Sequence, residues 1–186
     1  MARITYDEQT AAAFKAVREE PPRATPRARR VGVRVLEGNA GWVPLPDASA
    51  DAVWLSLVIH HIPDLEVAAQ EIRRVLLSGA PVLIRQGFPD RYEPLGDRKP
   101  DAIELVRWFP ETARVIATYP SVKETCTAFA TAGFHQDALE QVRETYLISL
   151  RDFLGQVDTF RHADTTMRSL SEEEFLSGKE RLRRAI

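Results

Sequence analysis

Two adjacent histidines, His60 and His61, stand at the end of the longest apolar run in the chain, Ala52 to Ile59. Imidazole titrates near neutrality, so a histidine at such an exit can take a proton from an oxygen or nitrogen nucleophile. It can equally cap a turn or pack, and both readings stay open. Paired histidines also suggest a metal. Here they are read as lying on an extended exit, where neighbouring side chains point apart. No carboxylate is spaced to complete a ligand set, so no metal site is expected. Ser56 lies inside the apolar run, where a hydroxyl is ordinarily bonded to backbone. Asn39 sits in Gly38-Asn39-Ala40-Gly41, a turn, and its amide oxygen can accept a hydrogen bond.

These residues need strands to bring them together. Val33-Arg-Val-Leu-Glu37 alternates like a short strand and leads into the glycine turn. Pro44 and Pro46 then exclude regular helix or a central strand. The run 52–59 is continuous and apolar, as expected of a strand buried on both faces. Asp64 is an N-cap for a helix over 64–77, with Leu65, Ala68, Ala69, Ile72, Val75 and Leu76 as its apolar stripe. Glu66, Gln70, Glu71, Arg73 and Arg74 are expected to point away, and Gly79 stands where a C-terminal cap is preferred. Residues 81–87 read as the next strand. Strand, helix and strand in succession imply parallel pairing. Open α/β sheets bind ligands at the carboxyl ends of their strands. Here those ends are Glu37–Gly41, Ser56–His61 and Arg85–Phe88, so a small-molecule cleft is expected among them.

Outside this unit, Thr5 to Glu20 reads as a helix with a capping-box spacing. Residues 21–32 read as a solvated basic linker holding Arg23, Arg27, Arg29 and Arg30. Further helices are expected at 101–109, from Pro110 to Thr118, from Ser121 to Ala132 with Gly133 ending it, at 149–160 and at 171–185. Extended structure is expected over 134–147. Two domains follow: 1–32, an N-terminal helix and basic linker, and 33–186, an α/β domain with C-terminal helices. Trp42, Trp54 and Trp108 are expected in the core or a pocket wall.

The chain has 186 residues, 44% of them hydrophobic, enough for a real core. A formal net charge of −2 carries no basic footprint, so neither nucleic acid nor an anionic membrane is an expected partner. Cys126 is the only cysteine, which excludes an intramolecular disulfide. The N-terminal residues lack an apolar signal region, and the longest apolar run is too short to span a bilayer. Together these features point to the cytoplasm.

Three stretches carry a resemblance. Glu37-Gly-Asn-Ala-Gly-Trp-Val-Pro-Leu-Pro-Asp47 resembles Glu-Gly-Asp-Ala-Glu-x-Leu-Pro-Phe-Pro-Asp of the class I S-adenosylmethionine (SAM) dependent methyltransferases. Asp51-Ala-Val-Trp-Leu-Ser-Leu-Val-Ile-His-His-Ile-Pro-Asp-Leu65 resembles the fourth strand of that family and its exit. Glu71-Ile-Arg-Arg-Val-Leu-Leu-Ser-Gly-Ala-Pro-Val-Leu-Ile84 resembles the helix, turn and fifth strand that follow. Their order and spacing match the type 11-like, small-molecule branch. The resemblance implies a Rossmann-like α/β fold, a largely parallel sheet with flanking helices. It implies SAM as cofactor, held by Asn39, Ala40 and Gly41 at the adenine and by Ser56 and Leu57 beside the methionine portion. Tyr6 would line the cofactor's carboxylate end or simply pack the first helix. His60 and His61 fall close to the transfer site as catalytic candidates. The methyl acceptor would be a small molecule.

The departures are as informative. The family's first strand ends in a glycine-rich loop that brings backbone N–H groups against SAM, and its second ends in an acid that holds the ribose. Residues 1–32 contain one glycine, Gly32, and neither feature. The chain therefore reads as truncated relative to the full fold, with the two central strands missing. Weak or lost SAM binding is expected, and strand 33–37 must pair with 52–59 or leave an edge open. Two functions follow. One is a SAM-dependent methyltransferase for a small molecule. The other is a non-catalytic relic or partner subunit, with a homodimer through the open edge as the expected assembly.

Overall fold

A computed structural model describes residues 36–91, 105–142 and 148–186 of the chain. They fall into two units, each with its own core. The helix expected at 5–20, the linker 21–32 and residues 33–35 lie outside the described residues, as do 92–104 and 143–147.

The unit formed by 36–91 and 119–142 holds the sheet. Strand β1, Val53–Ser56, pairs in parallel with β2, Val82–Arg85, in the register Val53 to Val82 through Ser56 to Arg85. Helix α1, Leu65–Val75, connects them. Asp64 caps it as expected, its side chain accepting from the backbone N–H groups of Glu66 and Val67. The helix ends at Leu76, which turns extended and bridges to Ala50. Gly79 thus takes its positive φ of 78° in the following turn and not at the helix cap. Helix α4, Val122–Thr131, has both halves of the capping box between Ser121 and Glu124, and Gly133 (φ 84°) follows its end.

One face of the sheet is covered. Val53, Leu55, Val82 and Ile84 pack with Ala69, Ile72 and Leu76 of the α1 segment and with Phe129 of α4. The other face corrects two expectations. Trp54 is 69% exposed and Leu83 is 51% exposed, so β1 is buried on one side only. Trp42, at 61%, is likewise no core residue, whereas Trp108 is buried. The apolar run is continuous in sequence, but within β1 only Val53 and Leu55 have a layer of described residues over them. The strands are also shorter than the expected 52–59 and 81–87. Leu36 and Glu37 are in no strand, because the chain already enters the Asn39–Trp42 turn there. Residues 134–142, the described part of the expected extended stretch, are in no strand. Among the described residues the sheet is therefore a small, open, parallel pair with flanking helices, a truncated Rossmann-like arrangement.

The other unit is helical, formed by 105–118 and 148–186. Its helices are α2 (Leu105–Trp108), α3 (Ala113–Ile116, entered through a 3-10 turn at Pro110–Thr112), α5 (Leu150–Ala163), α6 (Thr165–Arg168) and α7 (Glu172–Arg184). The first continues an expected helix whose residues 101–104 lie outside the described ones. The short α6 was not foreseen, and α5 runs past the expected Phe160. Trp108, Phe109, Phe153, Val157, Met167, Leu170, Phe175 and Leu182 form its core. Gly178 of α7 lies directly on the Phe109 ring. A Cβ there would fall 2.1 Å from Phe109 Cδ1, which explains a glycine inside a helix. No described helix is long and apolar enough to cross a membrane.

Candidate functional site

The expected site residues form two groups in the sheet-bearing unit. The first is the turn at Asn39–Trp42. Asn39 N–H donates to Trp42 O at 3.2 Å and Trp42 N–H donates back to Asn39 O at 3.1 Å. The Asn39 amide oxygen accepts the Gly41 N–H at 2.9 Å, closing a local side-chain turn. The close turn needs its glycine at position 38: a Cβ there would sit 2.6 Å from Pro44 Cδ.

Helix α1 holds the loop that follows. Glu71 accepts the Val43 N–H at 2.7 Å. Arg74 donates to Leu45 O and to Val43 O, each at 3.0 Å, and also pairs with Glu71 and Asp47. Both residues were expected to point away from the fold; they turn instead onto the loop and fasten it. The charges on a helix's polar face give no signal of such a distant backbone partner.

The Arg74 guanidinium, with the Val43 N–H second, holds the Glu71 carboxyl down from 4.5 to about 2. The folded chain thus favours the carboxylate. Its contribution is complete above pH 4.5 and is lost as pH falls toward about 2. Comparing wild type with Glu71→Gln by urea unfolding should show a stability gap that is flat above pH 4.5 and closes by about pH 2. A gap that widens on acidification would contradict the clamp.

The second group lies at the strand exits. The Ser56 hydroxyl accepts from Arg85 Nη1 at 3.3 Å, on the exposed side of the sheet and not buried against backbone. Leu57 follows in the left-handed region, φ 51°, with its N–H donating to Arg85 O at 2.8 Å. Leucine there costs roughly 1–2 kcal/mol, and strain of this kind gathers at functional turns. It redirects the chain into a 3-10 turn, Ile59–His61.

That turn corrects the expectation of an extended exit with the histidines apart. The rings of His60 and His61 lie together, centroids 3.9 Å apart, and His60 stacks on Tyr119 at 4.2 Å. Its Nδ1 stands 3.2 Å from Gln86 Oε1. Among the described residues no group of histidine, cysteine and carboxylate side chains is placed to hold a metal. Gln86 lies in the expected Arg85–Phe88 segment but was not singled out, and nothing near Tyr119 in sequence marked it. Tyr6 lies outside the described residues.

Leu57 is 47% exposed and contributes little burial. Leu57→Gly should therefore unfold at the same urea concentration as wild type or a higher one, by up to about 1 kcal/mol. Leu57→Val should lose about 1 kcal/mol, because a branched Cβ suits this conformation least. A glycine variant destabilised by more than 2 kcal/mol would show that the side chain, not the backbone, sets the turn.

In an open α/β sheet, ligands bind at the carboxyl ends of the strands, and here polar groups stand at both strand exits. Residues 4–84 match a family model described as a methyltransferase domain. No curated protein matches the chain.

Among the described residues, the groups present fit only the adenine end of SAM. The Asn39 oxygen keeps a second lone pair beside the bond from Gly41, enough for an adenine amino group. For the ribose and methionine ends, the sequence has no glycine-rich loop and the described residues have no acid at a neighbouring strand end. No catalytic step through SAM is derived from this half-site.

Proposed function

We propose that this chain is by descent a SAM-dependent methyltransferase for a small molecule, with a cofactor cradle left incomplete in the isolated chain. The observation that carries the reading is the methyltransferase-domain match over residues 4–84. It spans the Asn39–Trp42 turn and β1 and reaches into β2. A small acceptor is favoured because Ser56-Leu57-Val58-Ile59-His60-His61 lacks the Asn/Asp-Pro-Pro-Tyr pattern of enzymes that methylate nucleic-acid amino groups. His60 and His61 are the groups nearest the strand exit able to accept a proton from such an acceptor. The reading assigns the protein to the cytoplasm.

A second reading is favoured by a separate observation. Trp54 and Leu83 leave one face of the sheet apolar and exposed. A non-catalytic relic or partner subunit, its sheet completed by another chain, would present such a face. Calorimetric titration with SAM and with its demethylated product separates the two. Saturable binding of either supports the methyltransferase reading; no heat from either at millimolar ligand favours the partner subunit.

A further inference from the structure

The geometry around His60 assigns a role to a residue that neither the family match nor the sequence resemblance marks. We propose that Gln86 is a positioning residue that fixes the tautomer and orientation of the His60 imidazole.

Gln86 lies one residue past β2, and His60 lies in the turn after β1. Parallel pairing of the two strands brings their carboxyl ends side by side, which is why residues 26 apart in sequence meet. The Gln86 amide has its Nε2 donating to Gly87 O at 3.4 Å, which sets the amide's direction. Its Oε1 therefore faces His60 Nδ1, at 3.2 Å. An amide oxygen only accepts. The Nδ1 atom must then carry the proton, and the neutral ring holds its lone pair at Nε2. That is the tautomer in which Nε2 accepts a proton, as general-base work requires.

The ring plane is fixed independently. Tyr119 stacks on His60 with centroids 4.2 Å apart and planes 25° from parallel, while His61 lies tilted at 45° on the same ring. A stacked ring can still flip by 180° about its Cβ–Cγ bond, which keeps the ring plane and exchanges Nδ1 with Cδ2. The Gln86 hydrogen bond removes that freedom. Tyr119 and Gln86 thus hold different degrees of freedom of one side chain. The inference rests on the methyltransferase reading only for what the proton comes from; the tautomer itself does not depend on it.

Long-range ¹H–¹⁵N correlation spectra of histidine side chains report the tautomer without any activity. They are recorded at about pH 8.5, roughly two units above the usual imidazole pKa. Wild-type His60 is expected to show the Nδ1–H pattern, one nitrogen protonated and Nε2 unprotonated. Gln86→Leu, which keeps the volume and removes the acceptor, should convert the signal to Nε2–H or to an exchanging mixture. Gln86→Glu restores an acceptor of the same reach and should restore the Nδ1–H pattern. His61 in the same spectra serves as the internal reference and should not change. A wild-type His60 in the Nε2–H form would overturn the proposal. So would an Nδ1–H pattern that persists in Gln86→Leu. Failure of SAM to bind leaves this result standing, so the two readings fail separately.

Discussion

Calorimetric titration of the isolated chain with SAM is expected to give a dissociation constant no tighter than ~100 μM, less than about 5.5 kcal/mol of binding free energy. On the proposed reading, the turn at Asn39–Trp42 would supply an acceptor for the adenine edge, and Arg74 and Glu71 hold the loop that follows it on α1. Among the described residues, nothing comparable stands ready for the ribose hydroxyls or the methionine carboxylate. A hydrogen bond to a charged group contributes about 1.5–3 kcal/mol. Lacking one at the ribose acid and one at the carboxylate therefore weakens binding by 3 kcal/mol or more, about a hundredfold at least. The absence of a glycine-rich loop from residues 1–32 adds a further loss, since such glycines let backbone N–H groups approach the ligand. Low-micromolar binding by a monomer would overturn this expectation and would mean that other residues hold those ends of the cofactor. Asn39→Ala separates the cases. It should remove any residual saturable heat if the adenine end is all that binds, and should leave most of the affinity if it is not.

The parts of this molecule that were legible in its sequence are those decided within a few residues. Asp64, Ser121 and Ser171 each cap the helix they precede, because a cap is a contact across two or three residues. The parallel pairing of β1 and β2 follows from the helix between them. The position of His60, Ser56 and Leu57 at a strand exit follows in turn. What sequence could not give was decided at a distance. An apolar residue such as Trp54 has the same signature whether or not a layer covers it. The 3-10 turn that brings His60 against His61 depends on Leu57 adopting a left-handed conformation that no glycine announced. The clamp from Glu71 and Arg74 reaches backbone 28 and 31 residues away. Tyr119 meets His60 from a segment nearly sixty residues distant. Each is tertiary override of a local pattern.

The apolar sheet face leads to the second large effect: concentrated solutions of the protein are expected to self-associate through β1. In β1 the N–H groups of Val53 and Leu57 are turned toward the β2 side, donating to Pro81 O at 3.1 Å and Arg85 O at 2.8 Å. By alternation, Trp54 and Ser56 turn their backbone groups to the opposite edge. Among the described residues no strand pairs with that edge. A second copy suits it better than a foreign strand. Two β1 edges related by a two-fold axis run antiparallel, and each offers the other the same donors and acceptors, a self-complementary and closed arrangement. Pairing would also set the Trp54 side chains of the two copies near each other on one exposed face with Leu83, where any area they bury between them adds to the association. The edge is only four residues long, so the dimer should be weak and visible as a concentration-dependent mass in light scattering. Trp54→Lys places a charge on the face beside the edge, the means by which natural sheets block such pairing. It should shift the scattering toward monomer and raise solubility, while the β1–β2 register and the layer beneath it, built from Val53, Leu55, Val82 and Ile84, stay unchanged. A wild-type protein that remains monomeric across the dilution series and melts cooperatively well above ~65 °C would show that the short sheet closes on itself. In that case Trp54→Lys should destabilise the monomer by unfolding measurements instead of altering its mass.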